Sequence, residues 1–89
     1  MTKEQIFKSV LPYKNFVTDE VVGYYGNDDY VCELSYGRAM DVYIFGVTFV
    51  SIKTMQRVME LDKSFTNDKK DCAKKSAQAY IMETIGNLN

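Results

Sequence analysis

The chain contains no histidine and no tryptophan, and Pro12 is its single proline. Without histidine, the Ser-His-Asp and Cys-His nucleophile systems and all zinc sites with histidine ligands are excluded. Cys32 and Cys72 are the only cysteines and form no CxxC pair, so neither a disulfide framework nor a zinc site is predicted. We expect two buried free thiols in a reducing cytoplasm, with a single Cys32–Cys72 bridge as the alternative.

Long hydrophobic runs are also lacking. No apolar stretch approaches the ~20 residues that a membrane helix needs, and the N-terminus does not have the form of a signal peptide. These features predict a soluble, cytoplasmic protein that does not act on a membrane.

Motifs for catalysis and for cofactor binding are missing as well. The stretch Gly26-Asn27-Asp28-Asp29 lacks the ligand spacing of a calcium loop, and the glycines form no phosphate-binding pattern. Carboxylates at Asp28, Asp29, Glu33 and Asp41 are the only candidates for an acid–base pair, and adjacent Asp residues in such a stretch are more typical of a turn. We therefore expect no enzymatic activity, no cofactor, no metal and no small-molecule substrate.

Apolar residues, in contrast, are abundant. They make up 46% of the 89 residues and aromatic residues make up 13%, which is typical of an ordered chain. This length predicts one domain spanning residues 1–89. Residues Asp41 to Val50 form an almost unbroken run of β-branched and aromatic side chains, which predicts a strand buried on both faces.

The first forty residues predict a helix followed by a hairpin. Residues Thr2 to Gln5 have the form of a capping box, and Pro12 would end the helix that follows. The apolar stripe of this helix is Ile6, Phe7, Val10 and Leu11. After a connector over 13–20, residues 21–25 and 30–36 read as two strands joined by the turn at 26–29. Alternation in the second strand predicts a core face (Tyr30, Cys32, Leu34, Tyr36) and a mostly solvated face (Val31, Glu33, Ser35), and residues 37–40 are predicted to turn into the central strand.

The last forty residues begin with an ambiguous segment. Lys53-Thr54 is predicted to form a tight turn, and residues 55–62 fit either a fourth strand, which we favour, or a helix. The final helix is clearer, with Asp68 as its N-cap and Gly86-Asn87 as its stop. Its apolar stripe is Ala73, Ala77, Tyr80, Ile81, Ile85 and Leu88.

Together these elements predict an α+β fold. A short N-terminal helix precedes a three- or four-stranded antiparallel meander, and the C-terminal helix packs on one face, against Leu34, Phe45, Val47 and Phe49. Because the central strand is apolar on both sides, its second face also needs cover. Either the N-terminal helix or a second copy of the chain would provide it, so a homodimer is one of two predictions.

Acidic and tyrosine residues concentrate in the first half. Residues 1–50 carry four basic and seven acidic residues, a net charge of −3, whereas residues 51–89 carry a net charge of +2. Tyrosine is a favoured contact residue at interfaces. One interpretation is an acidic, Tyr-bearing sheet edge that binds a basic surface of another protein; the alternative is half-buried sheet aromatics and a solvated face. The candidate contact residues are Asp19, Glu20, Tyr24, Tyr25, Asp28, Asp29, Tyr30 and Glu33.

Lysines cluster at the start of the last helix. A Lys-Lys pair there, small residues at Cys72, Ser76 and Ala77, and a preceding helix and meander resemble a double-stranded RNA-binding domain. In that family the pair bridges phosphates across a groove, a role that the resemblance assigns to Lys69 and Lys70, with Lys74 beside them. Such recognition rests on shape, phosphates and 2′-hydroxyls. The alternative is a solvated helix face.

A second resemblance concerns the whole chain. A compact, acidic, Tyr- and Lys-rich chain of this size without catalytic residues is similar to the small accessory proteins with which bacteriophages block host enzymes or defence systems, anti-CRISPR proteins included. This resemblance implies a non-enzymatic inhibitor whose partner is a host or defence-system protein.

Overall fold

The structure is a computed structural model and describes residues 1–12 and 20–87. In order, the described residues form α1 (Lys3–Val10), β1 (Glu20–Gly26), β2 (Tyr30–Ala39), β3 (Val42–Ser51), β4 (Gln56–Arg57), a 3-10 turn (Met59–Leu61), β5 (Lys63–Asn67) and α2 (Lys70–Asn87). The predicted α+β fold, with an antiparallel sheet and the C-terminal helix against it, is confirmed.

The sheet is built around β3. This strand pairs with β2 along its whole length, and on its other edge it pairs with β4 and then with β5. Strand β1 pairs with β2, so the order across the sheet is β1-β2-β3 and then β4 or β5, all antiparallel. The predicted strand at 41–50 is confirmed within one residue, and its buried residues lie on both faces.

One face of the sheet packs on α2. Ala73, Ala77 and Ile81 of α2 are buried against a set of sheet side chains that lie on alternate positions of β2 and β3, namely Cys32, Leu34, Phe45, Val47 and Phe49. Alanine at the first two contact positions lets the helix approach the sheet closely. Each large apolar side chain buried in this way contributes about 1.5–3 kcal/mol to folding. The predicted contact between the α2 stripe and the sheet is confirmed.

The opposite face packs on α1. The predicted capping box starts this helix, since Thr2 N donates to Gln5 Oε1 at 2.8 Å and Gln5 N donates to Thr2 Oγ1 at 3.1 Å. Phe7 is buried with Val31 and Val50. The prediction that Val31 and Ser35 face solvent is therefore wrong: both are buried, and at Val31 the reason is the cover that α1 gives.

Three predicted boundaries are also wrong. Strand β2 continues through Gly37 to Ala39, and the turn into β3 lies at Met40 and Asp41. Residues 55–62 form neither one strand nor one helix, because β4 covers two residues and a 3-10 turn follows; the fourth long strand is β5, at Lys63–Asn67. Helix α2 begins at Lys70, where the side chain of Asn67, rather than the predicted Asp68, accepts from Lys69 N at 2.9 Å.

The remaining predictions about the chain have mixed outcomes. Both cysteines are free, but only Cys32 is buried, and Cys72 is exposed on α2. Helix α2 includes Gly86 and extends to Asn87, the last described residue, so the predicted stop at Gly86-Asn87 stays a prediction. The connector at 13–19 and Leu88 lie outside the described residues. Within residues 1–12 and 20–87, neither helix is long and apolar enough to cross a membrane.

Candidate functional site

Strand β1 forms one edge of the sheet, and among the described residues it pairs only with β2. Its sequence, Glu-Val-Val-Gly-Tyr-Tyr-Gly, contains no lysine, arginine or proline, the residues that commonly protect an edge strand from further pairing. Three large apolar side chains on it are exposed: Val21 at 47%, Val22 at 39% and Tyr25 at 37%. Among residues 1–12 and 20–87, the outer backbone groups of β1 therefore have no partner strand, and the same edge carries exposed apolar surface.

A groove lies at the C-terminal end of β1, and we call it the edge groove. Both helices contribute to it, because the start of α1 supplies Lys3 and the last turns of α2 supply an apolar wall. It is a shallow, open depression with a volume of about 510 Å³, lined by Lys3, Tyr24, Tyr25, Gly26, Ile81, Met82, Ile85 and Gly86. Met82 is 76% exposed. Tyr25 folds back along its own strand, since a Cβ built on Gly23 would lie 3.1 Å from the Tyr25 hydroxyl oxygen.

A second groove lies at the N-terminal end of β1, and we call it the lysine groove. It is lined by Glu20, Val21, Val22, Tyr36, Phe45, Lys70 and Lys74. The Lys70 ammonium lies 4.5 Å from the centre of the Tyr36 ring, a cation–π contact that holds the first residue of α2 on the sheet. Lys74 follows one turn later and is half-buried. The open edge of β1 thus has cationic side chains at both ends.

The lysine groove continues into a row of aromatic rings and cations. The rings of Tyr36 and Tyr43 stack with their centres 6.3 Å apart, and the Arg38 guanidinium lies 5.1 Å from the centre of the Tyr43 ring. The row thus runs from the Lys70 ammonium over the two stacked rings to the Arg38 guanidinium. These contacts fix the orientation of the two cations at this end of the sheet.

The opposite edge of the sheet is protected. There β4 is only two residues long, and Asp62 fills the gap before β5: its Oδ1 accepts from Phe49 N at 3.0 Å and its Oδ2 accepts from Arg57 Nε at 2.6 Å. Strand β5 begins with Lys63, whose ammonium lies 5.2 Å from the centre of the Tyr80 ring. Short strands and a lysine are devices that limit edge pairing. Strand β1 is seven residues long and has no lysine, although it carries Glu20 and a register shift between Val21 and Gly23 at its N-terminal end.

The predicted acidic, Tyr-bearing residues are divided between the two faces and the hairpin turn. Glu20 and Tyr25 lie along β1, at the lysine groove and the edge groove. Asp28 is exposed in the turn, and Asp29 pairs there with Lys53 at 3.5 Å. Tyr30 packs against the α2 core.

Tyr24 and Glu33 lie on the α1 face. The Tyr24 hydroxyl donates to Glu33 Oε2 at 2.9 Å, and its ring packs on Phe7 with the ring centres 5.6 Å apart. Burial and the bonded carboxylate both raise the pKa of Tyr24. Asp19 lies outside the described residues. The structure therefore places Tyr24 and Tyr25 together at the edge groove and Glu20 at the opposite end of β1, whereas Tyr30 and Glu33 lie on β2. The role of each in partner binding stays a prediction.

The three lysines proposed for RNA binding lie at the start of α2. Lys70 and Lys74 share the lysine groove with Glu20, and Lys69 is exposed just before the helix. Contact with RNA stays a prediction for all three.

Sequence reasoning misses the α2 wall of the edge groove. The helical pattern places Ile85 in the core stripe alone, although this residue also lines the groove, and it assigns no role to Met82 or Lys3. Met82 does carry a signal, because it is a large apolar residue on the polar side of a helix whose apolar stripe is already complete. No match is found among protein-family models, curated proteins or solved structures.

Proposed function

We propose that this chain is a small non-enzymatic binding protein that contacts a host or defence-system protein through the edge of β1, and that it inhibits this partner by covering its surface. One observation carries the proposal: β1 is a seven-residue edge strand without lysine, arginine or proline, and it also carries exposed Val21, Val22 and Tyr25, with Met82 beside it. Exposed apolar patches on small proteins mark interaction sites. Glu20 and Lys3 supply polar groups at the ends of this surface.

The test compares two variants that add the same charge to α2. Met82→Lys changes the wall of the edge groove, whereas Ser76→Lys changes an exposed position outside both grooves. Each purified variant and the wild-type chain would serve as bait in a host-cell extract. The retained proteins would be identified and purified, and their affinity for each bait would then be measured. We expect one partner to be retained by wild type and Ser76→Lys, and Met82→Lys to weaken its affinity at least tenfold.

The acidic turn provides a second comparison. Asp28→Asn removes an exposed charge without touching the ion pair of Asp29, so it tests whether the turn belongs to the contact surface. If Met82→Lys binds every retained partner as tightly as wild type, the edge of β1 is not the binding surface.

RNA binding is the second candidate function. It is supported by the placement of Lys69 just before α2 and of Lys70 and Lys74 in its first two turns, with the Lys70 ammonium over the Tyr36 ring. The measurement is a fluorescence-anisotropy titration with a short RNA duplex at low and at moderate salt. Phosphate contacts predict an affinity that falls steeply with salt, and the Lys69→Ala, Lys70→Ala double variant should lose it. Lys75→Ala is the matched control, since Lys75 is exposed on the same helix.

A further inference from the structure

The edge groove has a shape and a position that select one kind of occupant. Its lining residues come from the start of α1, from Tyr24 to Gly26 of β1, and from the end of α2. In the described part of the chain, this strand edge has no partner on its outer side, and an extended chain can pair with such an edge. A helix, in contrast, cannot bond to the backbone groups of that edge.

We propose that the partner contributes an extended segment that pairs with β1 as an additional strand. This inference rests on the proposed function and specifies how the partner is held. In this binding mode main-chain hydrogen bonds give affinity, and pockets for alternate side chains give specificity. A register shift between Val21 and Gly23 marks a bulge in β1, so the regular stretch for pairing is Gly23 to Gly26, at the edge groove.

The groove walls define the side chains of that segment. Side chains of a strand alternate between the two faces of the sheet. On the α2 side, every second residue of the added strand would meet the apolar wall of Tyr25, Met82 and Ile85, which fits valine, isoleucine or leucine. On the α1 side the intervening residues would pass Lys3.

The lysines beside β1 define the charge at the two ends of the partner segment. Lys3 lies at one end of β1, and Lys70 and Lys74 lie at the other, about 20 Å away along a seven-residue strand. Among the described residues that line the two grooves, Glu20 is the one acidic residue. The segment that fits is therefore apolar at alternate positions and acidic at both ends.

The experiment uses four synthetic peptides and the full chain labelled with nitrogen-15. The parent peptide is Asp-Thr-Val-Thr-Val-Thr-Val-Asp with blocked ends. Two derivatives carry N-methyl groups, one on the valine amides and one on the threonine amides, and a third has lysine in place of both aspartates. Binding is followed by amide chemical shifts and by fluorescence anisotropy.

Strand addition predicts an asymmetric result, because only alternate amides of an added strand face β1. One methylated peptide should bind within twofold of the parent, and the other should lose at least tenfold in affinity. The lysine-ended peptide should bind several-fold more weakly. Shift changes should concentrate on Tyr24 to Gly26 and on the last turns of α2, and Met82→Lys should weaken binding where Ser76→Lys does not.

Three results would overturn the inference. The first is absence of binding by all four peptides at millimolar concentration. The second is equal binding of the two methylated peptides, which would mean that side chains alone hold the segment. The third is a dimer in sedimentation experiments whose β1 amides are already protected, because a second copy then occupies the edge. The first two leave the proposed function intact if Met82→Lys still releases the protein partner, so the two failures are distinguishable.

Discussion

Met40 occupies a backbone conformation that residues other than glycine adopt at a cost. Its φ is 57°, it lies in the two-residue turn between β2 and β3, and its side chain is 94% exposed. A non-glycine residue in the left-handed region is destabilised by about 1–2 kcal/mol. Because an exposed side chain adds little packing, the turn is held by the strand pairing on either side of it.

Replacing Met40 should therefore stabilise the protein when the new residue is glycine. We expect Met40→Gly to raise the free energy of unfolding by about 0.5–1 kcal/mol, the relief of strain less the added chain entropy of glycine. Urea unfolding followed by circular dichroism measures the change. Met40→Ala removes the same side chain but keeps the strain, and it should match wild type. Equal stability of all three proteins would show that the turn is not strained.

Gly26 stands at the end of β1 for a steric reason. A Cβ at this position would overlap the carbonyl oxygen of Tyr30 and lie 3.0 Å from Cα of Val31. We expect Gly26→Ala to lower the free energy of unfolding by about 1–3 kcal/mol, because backbone atoms must move to admit the methyl group. The measurement is the same urea titration.

Gly86 is the matched control for Gly26. It lies in α2, and within the described part of the chain no neighbouring atom is closer than 4 Å to the place that a Cβ would take. Gly86→Ala should raise stability by up to about 1 kcal/mol through helix propensity. If both alanine variants shifted stability in the same direction, the steric explanation for Gly26 would fail.

At the scale of elements, Asp62 holds two short strands on the outer edge of β3. Its carboxylate accepts the Phe49 amide in the gap between β4 and β5 and also bonds to Arg57, while Tyr80 of α2 donates to Leu61 O at 2.5 Å. These bonds join the sheet, the 3-10 turn and α2. They replace the strand pairing that a continuous β4 would have provided.

A series of three substitutions separates the roles of Asp62. Asp62→Ala should lower the free energy of unfolding by about 1–3 kcal/mol, because the partly buried Phe49 amide loses its acceptor. Asp62→Asn keeps an acceptor for this amide and loses only the ion pair, as does Arg57→Ala, so each should cost less than about 1 kcal/mol. The free energy of unfolding of each variant is measured by urea titration. If Asn were as costly as Ala, the charge rather than the amide bond would be the main contribution.

At the scale of the whole molecule, the sheet is a layer between two helices that cover different parts of it. Helix α2 covers the face of Leu34 and Phe49, and α1 covers Val31 and Val50 on the other. The second face of β3 thus receives cover from within the chain. A homodimer stays a prediction, but it is no longer needed for the cover that α1 provides.

Each side of the sheet contains one ionisable side chain whose pKa is raised. Burial raises the pKa of the Cys32 thiol to about 12 on the α2 side, and burial with the Glu33 hydrogen bond raises the pKa of Tyr24 on the α1 side. In the unfolded chain the pKa of a cysteine thiol is about 8.5. At alkaline pH the unfolded state therefore loses protons that the folded state keeps, so stability falls as pH rises.

We predict a free energy of unfolding that is insensitive to these two groups below about pH 8 and falls steadily from there toward about pH 12. Urea titrations at a series of pH values measure it. Cys32→Ala should flatten the first part of the fall, and Tyr24→Phe should flatten the later part, near the titration of an unfolded tyrosine. An unchanged slope in both variants would assign the alkaline loss to other groups.

Much of the fold follows from local patterns. The capping box at Thr2, the strand around Phe45, the hairpin turn near Asn27 and the stripe of α2 are all predicted by a few neighbouring residues. Errors arise where a distant segment changes the environment. Val31 reads as solvated until α1 is placed above it, and the segment at 55–62 reads as a strand although Asp62 replaces most of its pairing.

The sequence by itself determined the class of fold, the strand at its centre and the lack of histidine chemistry, because secondary structure and residue chemistry depend on local pattern and composition. Only the tertiary structure decided which of the described strands lies at an edge of the sheet and which residues stand beside it. Tyr25 and Met82 are 57 positions apart in the chain and line one groove because the fold brings the C-terminal end of β1 near the last turns of α2. That proximity depends on the sheet order and on where α2 crosses the sheet, which no local pattern specifies.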